Sequence, residues 1–354
     1  MTTTKDIAQR LNLSVSTVGR ALADDARISP ETKLRVTRMA DELGYVANRA
    51  ARIMRGAPST VVGLIVPDIR NSFFSTVAHA LTETLSEHNH QLLLCETGDD
   101  RTSELREVRD LASAQVAGII IVPSARPKPE VIQLLRSIPH VQLLRRLESL
   151  SPHWFGVDDH NAAFVATAHL LDLGHRRVAY VGGTDDVTSG ADRLAGFRAA
   201  VAARGLPASA AIVALGPPSS TLRGGATHGR SSLRSLMASA DPPTGIVTGS
   251  VPVSRGLLEA IQQEGPEVPR RLSVVGFGDE VGFSWWGPGL TTVAVPGHEL
   301  ATACGTWLLR RLRMPEIADE PYHSMSSGTL VVRGSTAAPA EPDRVADQPA
   351  PGLR

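Results

Sequence analysis

The spacing of apolar residues changes character along this chain. In the first 45 residues it follows the helical period. Ile7, Ala8 and Leu11 fall on one face of a first helix, Val18 and Leu22 on one face of a second, and Val36, Ala40 and Leu43 on one face of a third. Ser29 suits the N-cap of that third helix, Pro30 its first position, Glu31 the positive helix end and Gly44 the C-terminal cap. From residue 61 the pattern becomes short apolar runs alternating with amphipathic stretches. Val61–Val66, Gln91–Cys95, Gly118–Val122 and Val141–Leu144 read as short buried strands, with helices near 73–88, 102–114 and 128–137. A second series follows, with strands at Val178–Val181, Ile212–Leu215, Gly245–Val247 and Leu272–Val275 and helices near 161–173, 191–204, 228–239 and 252–264. Such βαβ repetition predicts parallel sheets covered on both faces, here in two lobes. Return strands near 291–294 and 329–332 predict that the chain passes between the lobes more than once. Residues 335–354 hold four prolines, three acidic residues and no aromatic, and are expected to form a disordered tail.

Composition sharpens this picture in one respect. The 354 residues carry 36 Lys/Arg and 36 Asp/Glu, a formal net charge of zero. Residues 1–56 nevertheless hold ten Lys/Arg against six Asp/Glu, so a basic head precedes an acidic body, as contact with phosphates favours. Within the head, Ala8, Asn12 and Val18 have the spacing of a helix-turn-helix. The small residue lets two helices cross, Asn tolerates a left-handed turn, and the branched residue locks the second helix down. The second helix then turns Ser16 and Arg20 away from the buried Val18. Residues at the N-terminus of a recognition helix reach base edges, so Val15 and Ser16 are candidate readers, and Arg20 can fork two hydrogen bonds onto a guanine.

These residues resemble the LacI/GalR family of bacterial transcription regulators. The likeness runs through Lys5-Asp-Ile-Ala8, Ser14-Val-Ser-Thr-Val18, Ser29-Pro-Glu-Thr32, Glu42-Leu-Gly-Tyr45 and Asn48-Arg-Ala-Ala-Arg-Ile-Met-Arg55. It continues in Val62-Gly-Leu-Ile-Val-Pro-Asp68, Asn71-Ser-Phe-Phe74, His169-Leu-Leu-Asp-Leu-Gly-His-Arg176, Arg193-Leu-Ala-Gly-Phe197, Val274-Val-Gly-Phe277 and Leu290-Thr-Thr-Val293, covering about residues 3–334. The resemblance implies an α/β fold: an N-terminal all-α helix-turn-helix head plus a two-lobed, periplasmic-binding-protein-like body with parallel sheets. The expected organisation is a DNA-binding domain over 1–47 and a hinge helix over 48–57. The first lobe is expected from 60–159 plus 288–320, and the second from 160–287 plus 321–334. It further implies a homodimer on double-stranded, pseudo-palindromic operator DNA. Val15, Ser16 and Arg20 would read bases, with Thr17 nearer the phosphates. Asn48 would open a hinge whose Met54 wedges into the minor groove, at a position where the family usually carries Leu. Gly19 and Ala47 also depart from the family's usual Ser and Pro.

By the same resemblance a small-molecule effector, a sugar or related metabolite, lies between the lobes against Asn71, Phe73, Phe74, Arg193 and Asp279. Phe rings stack on ligand faces, and Arg193 can donate several hydrogen bonds. The polar set expected of sugar-binding members is thinned here. Thr248-Gly-Ser250 replaces an Asn-Asp pair, and Phe277-Gly278-Asp279 lacks the first of two acids. Losing those groups weakens generic sugar binding by several hydrogen bonds, and Trp285 and Trp286 follow closely enough to reshape the rim.

Other function classes draw less support. A two-lobed solute-binding protein of transport is expected to carry an apolar signal segment, which Met1-Thr-Thr-Thr-Lys5 does not resemble, and no basic head. A nucleotide-using enzyme would fit the faint Val181-Gly-Gly-Thr184 loop, but neither phosphate-binding glycine motif is present. The pairs Asp158-Asp159 and Asp185-Asp186 read as solvated loop acids. Cys95 and Cys304 read as separate buried thiols, and the eleven histidines show no metal-ligand spacing, so no cofactor or metal is expected. No apolar run reaches the ~20 residues of a membrane span.

Overall fold

The computed structural model describes residues 2–45, 59–218, 220–318 and 320–340. Two compact units follow one another, residues 1–59 and 60–354. The expected hinge over 48–57, with Asn48 and Met54, lies outside the described residues.

The first unit is three helices, α1 (Thr4–Leu11), α2 (Val15–Leu22) and α3 (Pro30–Glu42). Asp6 closes the start of α1 by accepting from the Thr3 amide at 2.7 Å and its hydroxyl at 2.8 Å. Asn12 ends α1 with φ 52° and ψ 46°, the left-handed geometry that the helix-turn-helix spacing demands. Ser14 then caps α2 by accepting from the Thr17 amide, and Ser29 caps α3 with Pro30 at its start. Ile7, Ala8, Val18, Ala21, Val36 and Ala40 form the small core, each at most 5% exposed.

The second unit is two α/β lobes. The first begins β1 (Val61–Val66), α4 (Ser72–Ser86), β2 (Gln91–Glu96), α5 (Arg101–Ser113), β3 (Gly118–Ile121), α6 (Pro129–Leu135), β4 (His140–Leu143) and β5 (Trp154–Val157). The second continues α7 (Asp159–Asp172), β6 (Val178–Gly182), α8 (Thr188–Ala203), β7 (Ala211–Leu215), α9 (Leu222–Met237), β8 (Gly245–Thr248), α10 (Val251–Glu264), β9 (Ser273–Phe277), α11 (Val281–Trp285) and β10 (Thr291–Ala294). The chain then returns through α12 (Gly297–Arg313) and β11 (His323–Ser326) and ends in β12 (Thr329–Val331).

One sheet has the order β11-β5-β4-β3-β1-β2 and is parallel throughout. The other has the order β12-β10-β9-β8-β6-β7 and is parallel except where β12 runs against β10. Central strands such as β1, β3 and β6 are buried on both faces, which is why they read as unbroken apolar runs. The outer strands do not follow the buried-strand reading. β2 leaves Leu93 42% and Leu94 38% exposed, and β7 is mostly half-buried, because each has a neighbour on one side only.

Two lobe assignments need correction. β10, expected in the first lobe within 288–320, pairs with β9 of the second, Thr291 opposite Val275. β11, expected in the second lobe within 321–334, pairs with β5 of the first, His323 opposite Trp154. The chain thus passes between sheets three times, after β5, after β10 and after β11. Apolar periodicity locates a strand but not the sheet that receives it.

The disordered-tail reading of 335–354 also fails over its described part. Ser335 is fully buried. Its hydroxyl donates to the Val274 carbonyl and accepts from the Thr291 amide, each at 2.7 Å, and its carbonyl accepts from the Val274 amide at 2.9 Å. His169 meets the Thr336 hydroxyl at 2.9 Å and buried His175 the Ala337 carbonyl at 3.0 Å. His169 of α7 and His175 just after it therefore hold residues 336 and 337 in place. Residues 341–354 lie outside the described region. Cys304 is buried as expected; Cys95, on the outer strand β2, is only half-buried.

Among the described residues no helix is long and apolar enough to cross a membrane. Ser335→Ala leaves the Thr291 amide and the Val274 carbonyl without their side-chain partner. A loss of about 2–4 kcal/mol is expected, seen as a lower urea midpoint at unchanged slope. A shift below about 0.5 kcal/mol would show that the chain end is not fastened through this hydroxyl.

Candidate nucleic-acid interface and ligand cleft

On α2 Ser16 and Arg20 lie on the side opposite Val18, and Val15 stands at the start of the helix. Val15 is 45% exposed, Ser16 and Arg20 are exposed, and Thr17 is half-buried. The Ser14 hydroxyl gathers its neighbours, lying 2.8 Å from the Ser16 hydroxyl and 2.7 Å from that of Thr17. The start of the helix therefore presents a small cluster of hydroxyls beside an apolar Val15 side chain, and Arg20 follows on the last turn. Lys5, Arg10, Arg35 and Arg38 are also exposed in this unit. At Gly19 a β-carbon would meet nothing within 4 Å, so the helix tolerates a side chain there.

In the body, the carboxyl ends of the two sheets' strands face a cavity of about 80 Å³, the position where parallel α/β sheets place ligands. Asn71, Phe73, Phe74 and Arg193 all line it, so four of the five residues expected at the effector site come together. Asn71 caps α4 by accepting from the Phe73 amide, and its own amide group donates to the Ser220 carbonyl at 3.2 Å. Phe73 and Phe74 meet edge-to-face at 5.5 Å. Phe74 is 2% exposed and also packs into the first lobe's core.

Arg193, on α8, donates from Nε to Asp159 at 2.7 Å and from Nη1 to the Gly249 carbonyl at 2.6 Å, with its guanidinium 3.8 Å above the Phe277 ring. Asp159 is not the solvated loop acid expected from its sequence neighbour. It starts α7, is 3% exposed, and burial pushes its carboxyl up to about 6 although Arg193 pulls it down. Asp158 beside it caps the helix through the Asn161 amide.

Asp279 does not line this cavity. It lies beside a neighbouring recess and is engaged by Arg333 through two 2.8 Å bonds and by the Thr292 hydroxyl at 2.9 Å. The hydrogen bonds from Arg333 hold its carboxyl below the usual range. The resemblance located the residue, but an arginine brought in by β12's exit has taken its place as partner.

Several cleft residues were not anticipated. Arg145 sits two positions beyond β4 and is 4% exposed; it donates to Asp99 at 2.7 Å, to the Pro123 carbonyl at 3.0 Å and to the Ser220 hydroxyl at 2.6 Å. Its position just past a parallel strand was the available signal. Tyr180 and Thr184 line the cavity from β6 and the loop after it.

The loop around Ser220 belongs to the second lobe, so its contacts bridge the lobes. Besides Asn71 and Arg145, Asp68 of the first lobe accepts from the Leu222 amide at 2.9 Å. Ser72 likewise donates to Glu280 at 3.1 Å, and the Arg146 amide donates to the Thr188 hydroxyl at 3.1 Å. Burial raises the Asp68 carboxyl, but Arg70 and the amides of Leu222 and Arg70 outweigh this and hold it below the usual range. Among the described residues no group of three or more His, Cys, Asp or Glu could hold a metal ion.

Comparison with known proteins falls into the same two parts. Residues 3–48 match the model for bacterial regulatory proteins of the lacI family, and residues 167–336 that for a periplasmic binding protein-like domain. The HTH-type transcriptional regulator GalR of Salmonella typhimurium is 27% identical over 346 residues, 96% of this chain and 98% of that protein. The transcriptional regulator CelR, solved in complex with cellobiose, is 25% identical with a TM-score of 0.69, covering 95% of this chain and all of that one. The lac repressor dimer bound to operator and the anti-inducer ONPF has a TM-score of 0.79 at 21% identity, covering 95% and 99%.

Two measurements test the local physics. Gly19→Ala is expected to stabilise the three-helix unit by about 0.5–1 kcal/mol, read as a higher unfolding midpoint; destabilisation would mean that the position is not open. The second concerns Asp159. A carboxyl raised in the folded state holds its proton more tightly there than in the unfolded chain, so stability falls as pH rises from about 4 to about 6, by roughly 3 kcal/mol. Asp159→Asn removes that contribution and flattens the decline of the urea midpoint over this window; an unchanged decline would assign the slope to other groups.

Proposed function

The chain belongs to the LacI/GalR family of bacterial transcription regulators, and on that premise we propose that it is a dimeric repressor of a pseudo-palindromic operator, gated by a small molecule bound between its lobes. The observation that carries the DNA half is that Ser16 and Arg20 face away from the fully buried Val18, with the exposed Val15 beside them at the start of the same helix. Such a face enters the major groove. Arg20 forks onto a guanine, Val15 touches a thymine methyl, and Ser16 and Thr17 bond to base edge and phosphate. Asn48 and Met54 remain in this reading as minor-groove contacts of the paired hinge, Met54 as the wedge.

The cleft supports the other half. Asn71, Phe73, Phe74 and Arg193 surround one cavity with groups from both lobes. A cavity of about 80 Å³ holds roughly five to eight water molecules. A molecule of monosaccharide size that replaces them touches both lobes and so favours the arrangement in which the Ser220 loop meets Asp68, Asn71 and Arg145. That the similar regulator CelR was solved in complex with cellobiose supports reading this chain as the binder of a small molecule. Coupling of ~1–3 kcal/mol between cleft and operator changes DNA affinity roughly 5–150-fold.

Selection of bound genomic fragments by the purified protein tests the proposal: a two-fold symmetric consensus is expected, and enrichment without symmetry would sink the dimeric reading. Arg20→Ala is expected to cost about 1–3 kcal/mol on the selected sequence and to relax preference at one base pair of each half-site. Equal loss on a scrambled duplex would reduce Arg20 to a phosphate contact. Arg193→Ala is expected to abolish the ligand's effect on operator affinity, and a full response in that variant would remove Arg193 from the effector site.

A further inference from the structure

The cavity's lining is unbalanced in its chemistry. Two arginines, Arg145 and Arg193, line it among hydroxyl, amide, aromatic and aliphatic groups, and no Asp or Glu does. The nearby carboxylates are engaged elsewhere: Asp99 on Arg145, Asp159 on Arg193, Asp279 on Arg333, and Glu280 on Arg255 and Ser72. Neutral polyols present hydroxyls that donate as well as accept, and sites that hold them supply acceptors for those donors. Charged acceptors are missing from this cavity's wall.

Donors are present. Tyr180 is 1% exposed, yet no described residue bonds its hydroxyl. The hydroxyl reaches the cavity wall between two glycines: a β-carbon on Gly182 would stand 2.6 Å from it, and one on Gly249 2.5 Å. Any larger residue at Gly249 would have to displace this phenol. Burial pushes the phenol up to about 12, so it stays protonated and donates. Arg193 approaches the same glycine, donating Nη1 to the Gly249 carbonyl and Nε to Asp159. Its Nη2 has no bond to any described residue. The free donors of Tyr180 and Arg193 thus flank one residue, Gly249, with the Phe277 ring beneath the guanidinium.

We infer that the cleft takes a small carboxylate rather than a neutral sugar, the Tyr180 hydroxyl and Arg193 Nη2 donating to its two oxygens while Phe73, Phe74 and Phe277 cover an apolar or ring face. This rests on the reading of the cleft as an effector site and names the class of ligand. The carboxylate accepts what the wall offers; Asp99 and Asp159 already balance the two guanidinium charges, so the match is one of ligand acceptors to unused donors. A hydrogen bond to a charged group contributes roughly ten- to a hundredfold in affinity.

The test uses the full-length protein, isothermal titration and three matched pairs: gluconate with glucose, cellobionate with cellobiose, and benzoate with benzyl alcohol. At least one acid is expected to bind ten times or more tightly than its neutral partner. Tyr180→Phe keeps the ring against Phe197, at 5.6 Å, and is expected to lower that acid's affinity about tenfold with the unfolding midpoint unmoved. A neutral member binding as tightly as its acid overturns the inference and leaves the effector reading standing. Unchanged acid affinity in Tyr180→Phe overturns the role given to the phenol. Binding of none of the six overturns the inference; if operator affinity also ignores cell-extract metabolites, the effector reading falls with it.

Discussion

Three chain crossings at one edge of the cleft constrain everything the body can do. Both sheets end their parallel strands at the same gap, and the chain passes over it after β5, after β10 and after β11. Three tethers side by side leave the lobes one easy relative motion, a rotation that opens or shuts the gap. A group held in the gap by both lobes therefore acts directly on that rotation. The contacts of the Ser220 loop with Asp68, Asn71 and Arg145 lie where such a rotation would make or break them.

The cleft's electrostatics follow from burial. Arg145 and Arg193 are tolerated in an apolar setting because Asp99 and Asp159 lie against them; an unpaired buried guanidinium would cost several kcal/mol. Pairing uses up the acids, so the wall facing a ligand presents donors. The missing acid at Gly278 and the diversion of Asp279 to Arg333 work in the same direction.

Much of this was legible in the residues. Asn12 announced the left-handed turn, the apolar runs located all four strands of each series within a residue or two, and the likeness around Asn71 and Arg193 placed both at the cleft. What stayed hidden depends on partners distant in sequence. Nothing local says that β10 and β11 exchange sheets. α12 was not anticipated, since its arginines and alanines blur the apolar stripe. Asp159 looked like half of a solvated pair until α8 delivered Arg193 to it, 34 residues away. Tyr180 read as one more apolar strand position, and only the two glycines beside its hydroxyl reveal that the polar end is free. Ser335 sat in a stretch of tail-like composition, yet its hydroxyl bridges β9 and β10, two inner strands of the second sheet.

Regulation by this chain requires sequence-specific DNA binding through Val15, Ser16 and Arg20 at the exposed side of α2. Affinity for the selected operator and for a scrambled duplex of equal length should be measured side by side across a salt series. The operator is expected to bind roughly 10³-fold or more tightly than the scrambled duplex at physiological salt, with both affinities falling steeply as salt rises. Equal affinities for the two duplexes at every salt concentration would contradict it.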